Sequence, residues 1–275
     1  VSLPDPTGFV DIHSHLVPGV DDGARDVAAA VDSVDRFTRL SIRRIVTTPH
    51  IDGSLTRDRA RLEARLGEVS EAWERAAEAI GARFPDVEFR RGHEVLLDVP
   101  EVDLSDPRLR LAGTSFVLVE WPRLRVPPRT GPVLERIRAM GYRPIVAHPE
   151  RYAGIVDSMH VVEEWRSVGA YLQVNYGSIV GLYGDSARGA AERLLRRGWV
   201  DYLATDFHGH ARLEIHMAEA TAALEELGAH ETLACLCRTN PARLLSDEEP
   251  LPVPIVPAER GFWATLRGLV QGARA

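Results

Sequence analysis

Seven short runs rich in β-branched and aromatic residues alternate with longer amphipathic stretches, and six of the seven end on, or are followed within three residues by, a histidine or a carboxylate. The runs are Phe9–His13, Arg44–Thr48, Val87–Arg91, Phe116–Glu120, Pro144–Ala147, Tyr171–Asn175 and Tyr202–Thr205. Helical patterns lie between them near 25–40, 56–81, 131–140, 157–168, 186–197 and 212–227, with a further helix over 230–238. Such alternation is the signature of repeated βα units around a parallel sheet. Gly141, Gly169, Gly198 and Gly228 each follow a last helical turn, where C-terminal caps belong. Asn240-Pro241 reads as a cap and first-turn proline before a short helix ending near Leu245.

The first strand ends Asp11-Ile12-His13-Ser14-His15, and residues two apart on a strand face the same way, so His13 and His15 point together. The second ends Thr48-Pro49-His50, the third Gly92-His93-Glu94, the fourth Val119-Glu120-Trp121 and the fifth Ala147-His148-Pro149-Glu150-Arg151. Asp206 and His208 repeat the two-residue spacing after the seventh, and Asp21-Asp22 sit in a turn after the first. Singly, each is more readily a satisfied polar side chain or a helix cap. Together they are different, because the C-terminal strand ends of a parallel barrel converge on one mouth. Burying so many acids and imidazoles side by side without a cation is prohibitively costly. Imidazole and carboxylate without thiolate suit manganese, iron or zinc better than calcium.

Charge narrows the partners. The formal net charge is −7, spread along the chain, and nucleic-acid binding is not expected. All 33 basic residues are arginine, which removes lysine Schiff-base chemistry and leaves any phosphate clamp to arginine forks. No run approaches the ~20 apolar residues that span a bilayer, and the N-terminus lacks a signal-peptide pattern, so a soluble cytoplasmic protein is expected. Cys235 and Cys237 read as buried thiols. Cys237 and Arg243 match the Cys-x5-Arg spacing of cysteine-dependent phosphatases, but the intervening residues hold no glycine and Pro241 has no N–H to offer a phosphate. From Glu248 four prolines make an extended linker to an amphipathic helix over Glu259–Gln271, expected to dock on its own barrel or on a neighbouring subunit of a homo-oligomer. The expected division is therefore 1–247 and 248–275.

Residues 9–246 resemble the polymerase-and-histidinol-phosphatase (PHP) superfamily and, within it, the bacterial PHP-type protein-tyrosine phosphatases of capsule and exopolysaccharide loci. The resemblance rests on Asp11 to Gly23, Ala147-His-Pro-Glu-Arg-Tyr152, Gln173-Val-Asn-Tyr-Gly-Ser-Ile-Val-Gly-Leu-Tyr-Gly184 and Asn240-Pro-Ala-Arg-Leu-Leu245. It implies an α/β fold of distorted (β/α)7, TIM-like barrel form, with three divalent ions, manganese first and iron or zinc as alternatives, at the C-terminal strand ends. By the same resemblance His13, His15, Glu94 and Asp206 hold the first ion. Glu94 bridges to a second completed by Glu120 and His148, and Asp22, His50 and His208 hold the third. Arg151 and Arg212 are the implied phosphate-binding residues.

Closely spaced cations lower the pKa of a bridging water and make a nucleophile of it. A tyrosine phenolate, with a pKa of about 10, leaves without much protonation, so His210 and His216 are not expected to be essential. The implied substrate is a phosphotyrosine protein, the tail of a bacterial polysaccharide-assembly tyrosine kinase. Two alternatives stand beside it: a phosphatase of a small monoester such as histidinol phosphate, and a non-catalytic metal-binding interaction module. The loop Ile51-Asp-Gly-Ser-Leu55 lacks the basic and aromatic residues often present in relatives, and Gly209-His210 replaces a more usual asparagine-led sequence.

Overall fold

The computed structural model describes residues 8–155 and 158–256. β1 (Phe9–Asp11) leads to α1 (Val27–Arg39), and β2 (Ile42–Thr47) with β3 (His50–Asp52) to the long α2 (Arg59–Arg83). β4 (Glu88–Arg91), β5 (Glu94–Leu96) and β6 (Phe116–Glu120) follow, then α3 (Thr130–Ala139), β7 (Arg143–Ala147) and α4 (His160–Ser167). β8 (Tyr171–Asn175) runs directly into the short α5 (Tyr176–Ile179), followed by α6 (Gly184–Arg196), β9 (Tyr202–Ala204), α7 (Met217–Glu226), α8 (His230–Ala234) and α9 (Asn240–Leu245). Asp26 and Asp58 cap α1 and α2 with side-chain carboxylates. The four glycines expected to end helices all adopt positive φ, between 63° and 89°.

This is an α/β fold with parallel sheets. The strands form one sheet of order β1-β2-β4 and another of order β3-β5-β6-β7-β8-β9, and each strand pairing is parallel. Alternation sorts the side chains. Val10, Val46, Phe116, Leu118, Ile145, Ala147, Tyr202 and Ala204, drawn from both sheets, pack into one interior cluster. Their neighbours in sequence, such as Ile45, Val117, Val119, Val146 and Leu203, face the helices. Parallel strands covered on both sides in this way read as unbroken apolar runs, which is why β6 is buried at four consecutive positions. The two sheets also meet at a parallel bridge between Ser14 and Phe207, just past the ends of β1 and β9.

Two of the seven expected strands, Arg44–Thr48 and Val87–Arg91, are each followed by a further short strand just past the expected end. Pro49, which has no N–H for the ladder, separates β2 from β3. Gly92 separates β4 from β5 at a point where a Cβ would stand 2.9 Å from the Leu111 Cα. After these breaks β3 pairs with β5, and His50 and Glu94 come to lie opposite one another.

Three expectations need correction. The helix expected from 212 begins only at Met217: His216 takes a left-handed φ of 54°, and the Arg36 guanidinium holds the carbonyls of His210 and Leu213 in a loop. Asn240 does not cap. It is itself helical, a π-turn over Cys235–Thr239 joins α8 to α9, and its amide pairs with Leu251 on both N–H and C=O. The proline-rich segment is no free linker as far as Val256, which is buried; Thr232 Oγ1 donates to the Pro254 carbonyl. The helix expected over Glu259–Gln271 lies outside the described residues. Among the described residues no helix is long and apolar enough to cross a membrane.

Candidate metal centre

The C-terminal strand ends, with Asp22 from the turn after β1, bring all nine proposed ligands to one place. His13 and His15 follow β1, His50 opens β3, Glu94 opens β5, Glu120 ends β6, His148 follows β7, and Asp206 and His208 follow β9. His148 and Asp206 both adopt positive φ, 36° and 50°, an unusual conformation for such residues and one that turns the chain sharply as the strands end. His13, His15, Glu94, His148 and Asp206 are buried, whereas His50, Glu120 and His208 are part-exposed and the Asp22 side chain is 70% exposed. The centre therefore has a closed floor and an open mouth.

At the floor, His13 Nε2 lies 3.2 Å from Glu94 Oε2, 3.4 Å from Asp206 Oδ1 and 3.3 Å from His15 Nε2. His15 Nε2 lies 3.4 Å and 3.5 Å from the same two oxygens. The other oxygen of Glu94 is 2.9 Å from His148 Nε2. Nearer the mouth, His50 Nδ1 lies 3.2 Å from both Glu94 and Glu120, and Asp22 Oδ1 is 3.5 Å from both His50 Nε2 and His208 Nε2. Donor atoms of His13, His15 and Glu94 fall within 4.8 Å of one another, as do those of His13, His148 and Asp206, of His50, Glu94 and Glu120, and of His15, Asp22, His50 and His208.

The chemistry of this donor set fits cations. His13 donates Nδ1–H to Gln173 Oε1 at 2.8 Å, His15 donates Nδ1–H to Asp21 Oδ2 at 2.8 Å, and His208 Nδ1 pairs with the Asp206 carbonyl at 2.9 Å. With Nδ1 so engaged, Nε2 of each neutral ring presents its lone pair to the carboxylates, an arrangement typical of metal-bound histidine. Charge points the same way. Burial opposes a charged His13, yet Glu94 and Asp206 outweigh it and raise its pKa to about 9. Burial likewise opposes Glu94 and Asp206 as anions, but the surrounding histidines hold both well below the usual carboxylate range. A field that retains a proton on a buried imidazole at neutral pH is a field that a divalent cation would satisfy better.

The acidic turn also has a structural reason. Asp21 Oδ1 accepts from Gly23 N at 3.0 Å while Oδ2 takes the His15 proton, and the His15 partner holds the Asp21 pKa down to about 2 against its burial. Gly23 lies so close to His15 that an added Cβ would stand 2.1 Å from the His15 carbonyl oxygen. Gly23→Ala is expected to destabilise the chain by about 3 kcal/mol, in the upper range of overpacking costs, and to displace His15. Thermal or urea denaturation measures the first effect, and an unchanged midpoint would contradict it.

Arg151 lies beside this floor. Its NH1 donates to Asp206 Oδ2 at 2.7 Å, and its guanidinium carbon stands 4.2 Å over the Tyr183 ring. Arg212 is exposed on the loop before α7, not in a helix, and lines a cavity of about 1040 Å³ together with Arg151, Asp22 and His208. Val180, Leu182, Tyr183 and Ile215 form an apolar side of that cavity. His210, exposed, bonds the Asp22 carbonyl through Nε2 at 2.9 Å, and His216 lines the cavity wall. Sequence reasoning set Asp21 aside in favour of Asp22 and gave Gln173 and Asn175 no role beyond the resembling segment that contains them. The i, i+2 spacing of Gln173 and Asn175 on a strand that otherwise ended without a ligand was the one signal available. Asp11 takes no part at the floor: its Oδ1 accepts from Thr205 N, clasping β9 to β1. Cys235 and Cys237 are buried, and burial pushes the Cys237 thiol up to about 12, the opposite of the depressed pKa a thiolate nucleophile needs.

The family profile described as "Capsular polysaccharide synthesis, CpsB/CapC" matches residues 9–246. The chain is 27% identical over 254 residues to the tyrosine-protein phosphatase YwqE of Bacillus subtilis (strain 168), covering 92% of this chain and 97% of that one. It is 25% identical over 202 residues to the putative tyrosine-protein phosphatase CapC of Staphylococcus aureus, covering 73% and 77%. Among solved structures, one from work on YwqE of Bacillus subtilis and CpsB of Streptococcus pneumoniae, described as unique metal-dependent tyrosine phosphatases, superposes with a TM-score of 0.73 at 26% identity, over 91% of this chain and 100% of that one.

Proposed function

The chain belongs to the CpsB/CapC family of capsular polysaccharide synthesis, and from that premise we propose that it is a metal-dependent protein-tyrosine phosphatase. The observation that carries the proposal is the convergence of imidazole Nε2 atoms and carboxylate oxygens at the floor, with Arg151 at its edge. Three divalent ions, manganese in the first instance, would be held by His13, His15, Glu94 and Asp206, by Glu94, Glu120 and His148, and by Asp22, His50 and His208. The two oxygens of Glu94 face different histidines, which supports its bridging role. His50 approaches Glu120 and Glu94 as well as Asp22, so it stands between the second and third groups.

Bound ions would supply Lewis acidity, lowering the pKa of coordinated water and neutralising charge on phosphate oxygens. The chain's own residues supply orientation. Arg151, with NH1 fixed on Asp206 and its plane fixed on Tyr183, keeps its remaining N–H groups for phosphate oxygens, where a rigid fork stabilises developing charge. Arg212, on an exposed loop of the same cavity, would close on the phosphate from the other side. The apolar side built from Val180, Leu182, Tyr183 and Ile215 suits an aromatic leaving group and would exclude water around it. Phenolate is a good enough leaving group to depart with little protonation.

The catalytic unit would run from residue 9 to about 247, with 248–256 bonded to it through Asn240 and Thr232. Because strands of both sheets share one interior cluster and meet at Ser14 and Phe207, we read them as a distorted (β/α)7 barrel. The substrate would be a phosphotyrosine segment of a bacterial tyrosine kinase acting in polysaccharide synthesis. The test is phosphate release by metal-stripped protein from a phosphotyrosine peptide and from histidinol phosphate, with and without Mn2+. Manganese-dependent turnover favouring the peptide is expected. Preference for histidinol phosphate would move the chain to small-monoester chemistry, and bound manganese without turnover of either would leave a binding module.

A further inference from the structure

Gln173 and Asn175 stand two apart on β8, face the same side and are wholly buried. Asn175 Nδ2 donates to Asp206 Oδ2 at 2.7 Å, Gln173 Nε2 donates to Asn175 Oδ1 at 2.8 Å, and Gln173 Oε1 accepts from His13 Nδ1 at 2.8 Å. The order of these bonds is forced from one end. An ionised Asp206 can only accept, so Asn175 must turn its NH2 toward it and its oxygen toward Gln173. Gln173 must then turn its own NH2 toward Asn175, which leaves only an acceptor for His13. The imidazole consequently carries a proton on Nδ1 and directs Nε2 at Glu94 and Asp206.

We infer that Gln173 and Asn175 are positioning residues whose two amides form a directional relay, transmitting the charge of Asp206 to the tautomer of His13 and fixing both for one cation. The inference rests on the metal-centre reading above. The surroundings hold the relay in place. Glu150 Oε1 accepts from Asn175 N at 3.0 Å and from Ser178 Oγ at 2.6 Å, pinning the end of β8 against the start of α5. Asp206 Oδ2 is occupied by Asn175 and Arg151, which leaves Oδ1 to face the histidines. Gln173-Val-Asn-Tyr-Gly-Ser, a segment with no ligand of its own, thereby acquires a role at the centre.

The test is Mn2+ affinity by chelator competition in the full chain, for wild type, Gln173→Met, Asn175→Asp and Ser33→Ala. Gln173→Met removes the His13 acceptor at nearly constant volume, and Asn175→Asp sets two carboxylates face to face. Each is expected to weaken the tightest Mn2+ site about 10- to 100-fold, the range for lost outer partners of ligating histidines. Ser33→Ala, also buried but on α1 with its Oγ on the Ala29 carbonyl, is expected to stay within about twofold of wild type. A general packing defect would not alter the protonation of one ring, so the second readout is 15N-histidine NMR of the Zn2+-loaded protein. Wild type should show His13 protonated on Nδ1 and protected from exchange, and Gln173→Met should lose that protection. Wild-type Mn2+ affinity in both relay variants, or an unchanged His13 Nδ1–H in Gln173→Met, overturns the relay. A wild-type chain that takes up no Mn2+ or Zn2+ overturns the metal centre itself.

Discussion

His13→Ala is expected to lower manganese-dependent hydrolysis of a phosphotyrosine peptide by on the order of 10³-fold or more, about 4 kcal/mol of transition-state stabilisation. His13 meets the floor through both ring nitrogens. His13 Nε2 is within 3.4 Å of Glu94, Asp206 and His15, and its Nδ1 is the end of the amide chain from Asp206. Removing the ring takes away one ligand and also the partner that keeps two buried carboxylates ionised, since His13 is the leading favourable influence on both. Glu94 and Asp206 would then protonate more easily and bind a cation less well, so metal content per chain should fall along with turnover. Metal analysis and initial rates on the same preparation measure both. Full metal content with full activity would remove His13 from the centre.

The candidate ligands stand out in the chain because strand geometry is local. His13 with His15, and Asp206 with His208, share a face by spacing alone, and Glu120 and His148 stand where a run of buried apolar residues stops. The glycine caps were equally plain, because a positive φ after a helix favours one residue type. What could not be seen depends on partners distant in sequence. Gln173 is 160 positions from His13, and its spacing from Asn175 does not say which group it meets until β8 is placed beside the floor. Asp21 and Asp22 differ by one position, yet the turn held by Gly23 sends Asp21 behind His15 and Asp22 to the open mouth.

The misread boundaries have a similar origin. An apolar pattern at helical spacing over 212–227 ignores what Arg36 does to the backbone of His210 and Leu213 from across the chain. Asn240-Pro241 carries the local marks of a helix start, but tertiary demands prevail. Asn240 pins Leu251 and the Asp201 carbonyl instead, and the π-turn before it accommodates a proline that cannot donate. Local propensity was a weak guide at both places, as it is wherever long-range hydrogen bonds compete with it.

Arg151→Ala is expected to reduce kcat/KM for a phosphotyrosine peptide by about 10²- to 10³-fold, the range found when one preorganised charge-stabilising donor is lost. The guanidinium is held on two sides, by Asp206 Oδ2 at 2.7 Å and by the Tyr183 face at 4.2 Å, so its phosphate-facing N–H groups need little reorganisation. Its charge is secure: burial works against it, but Asp206 raises its pKa above the ordinary value. Arg151→Lys restores the charge and neither the fork nor the stacking, so it should recover only a small part of the loss. Metal content separates this effect from that of His13→Ala. Asp206 keeps its bond from Asn175 when Arg151 is removed, so the Arg151→Ala chain should bind manganese nearly as wild type does while turning over poorly. Arg212→Ala, on an exposed loop and without such anchoring, should lose less, mainly through KM. Turnover by Arg151→Ala within about threefold of wild type, well short of what loss of such a donor costs, would place phosphate recognition elsewhere in the cavity.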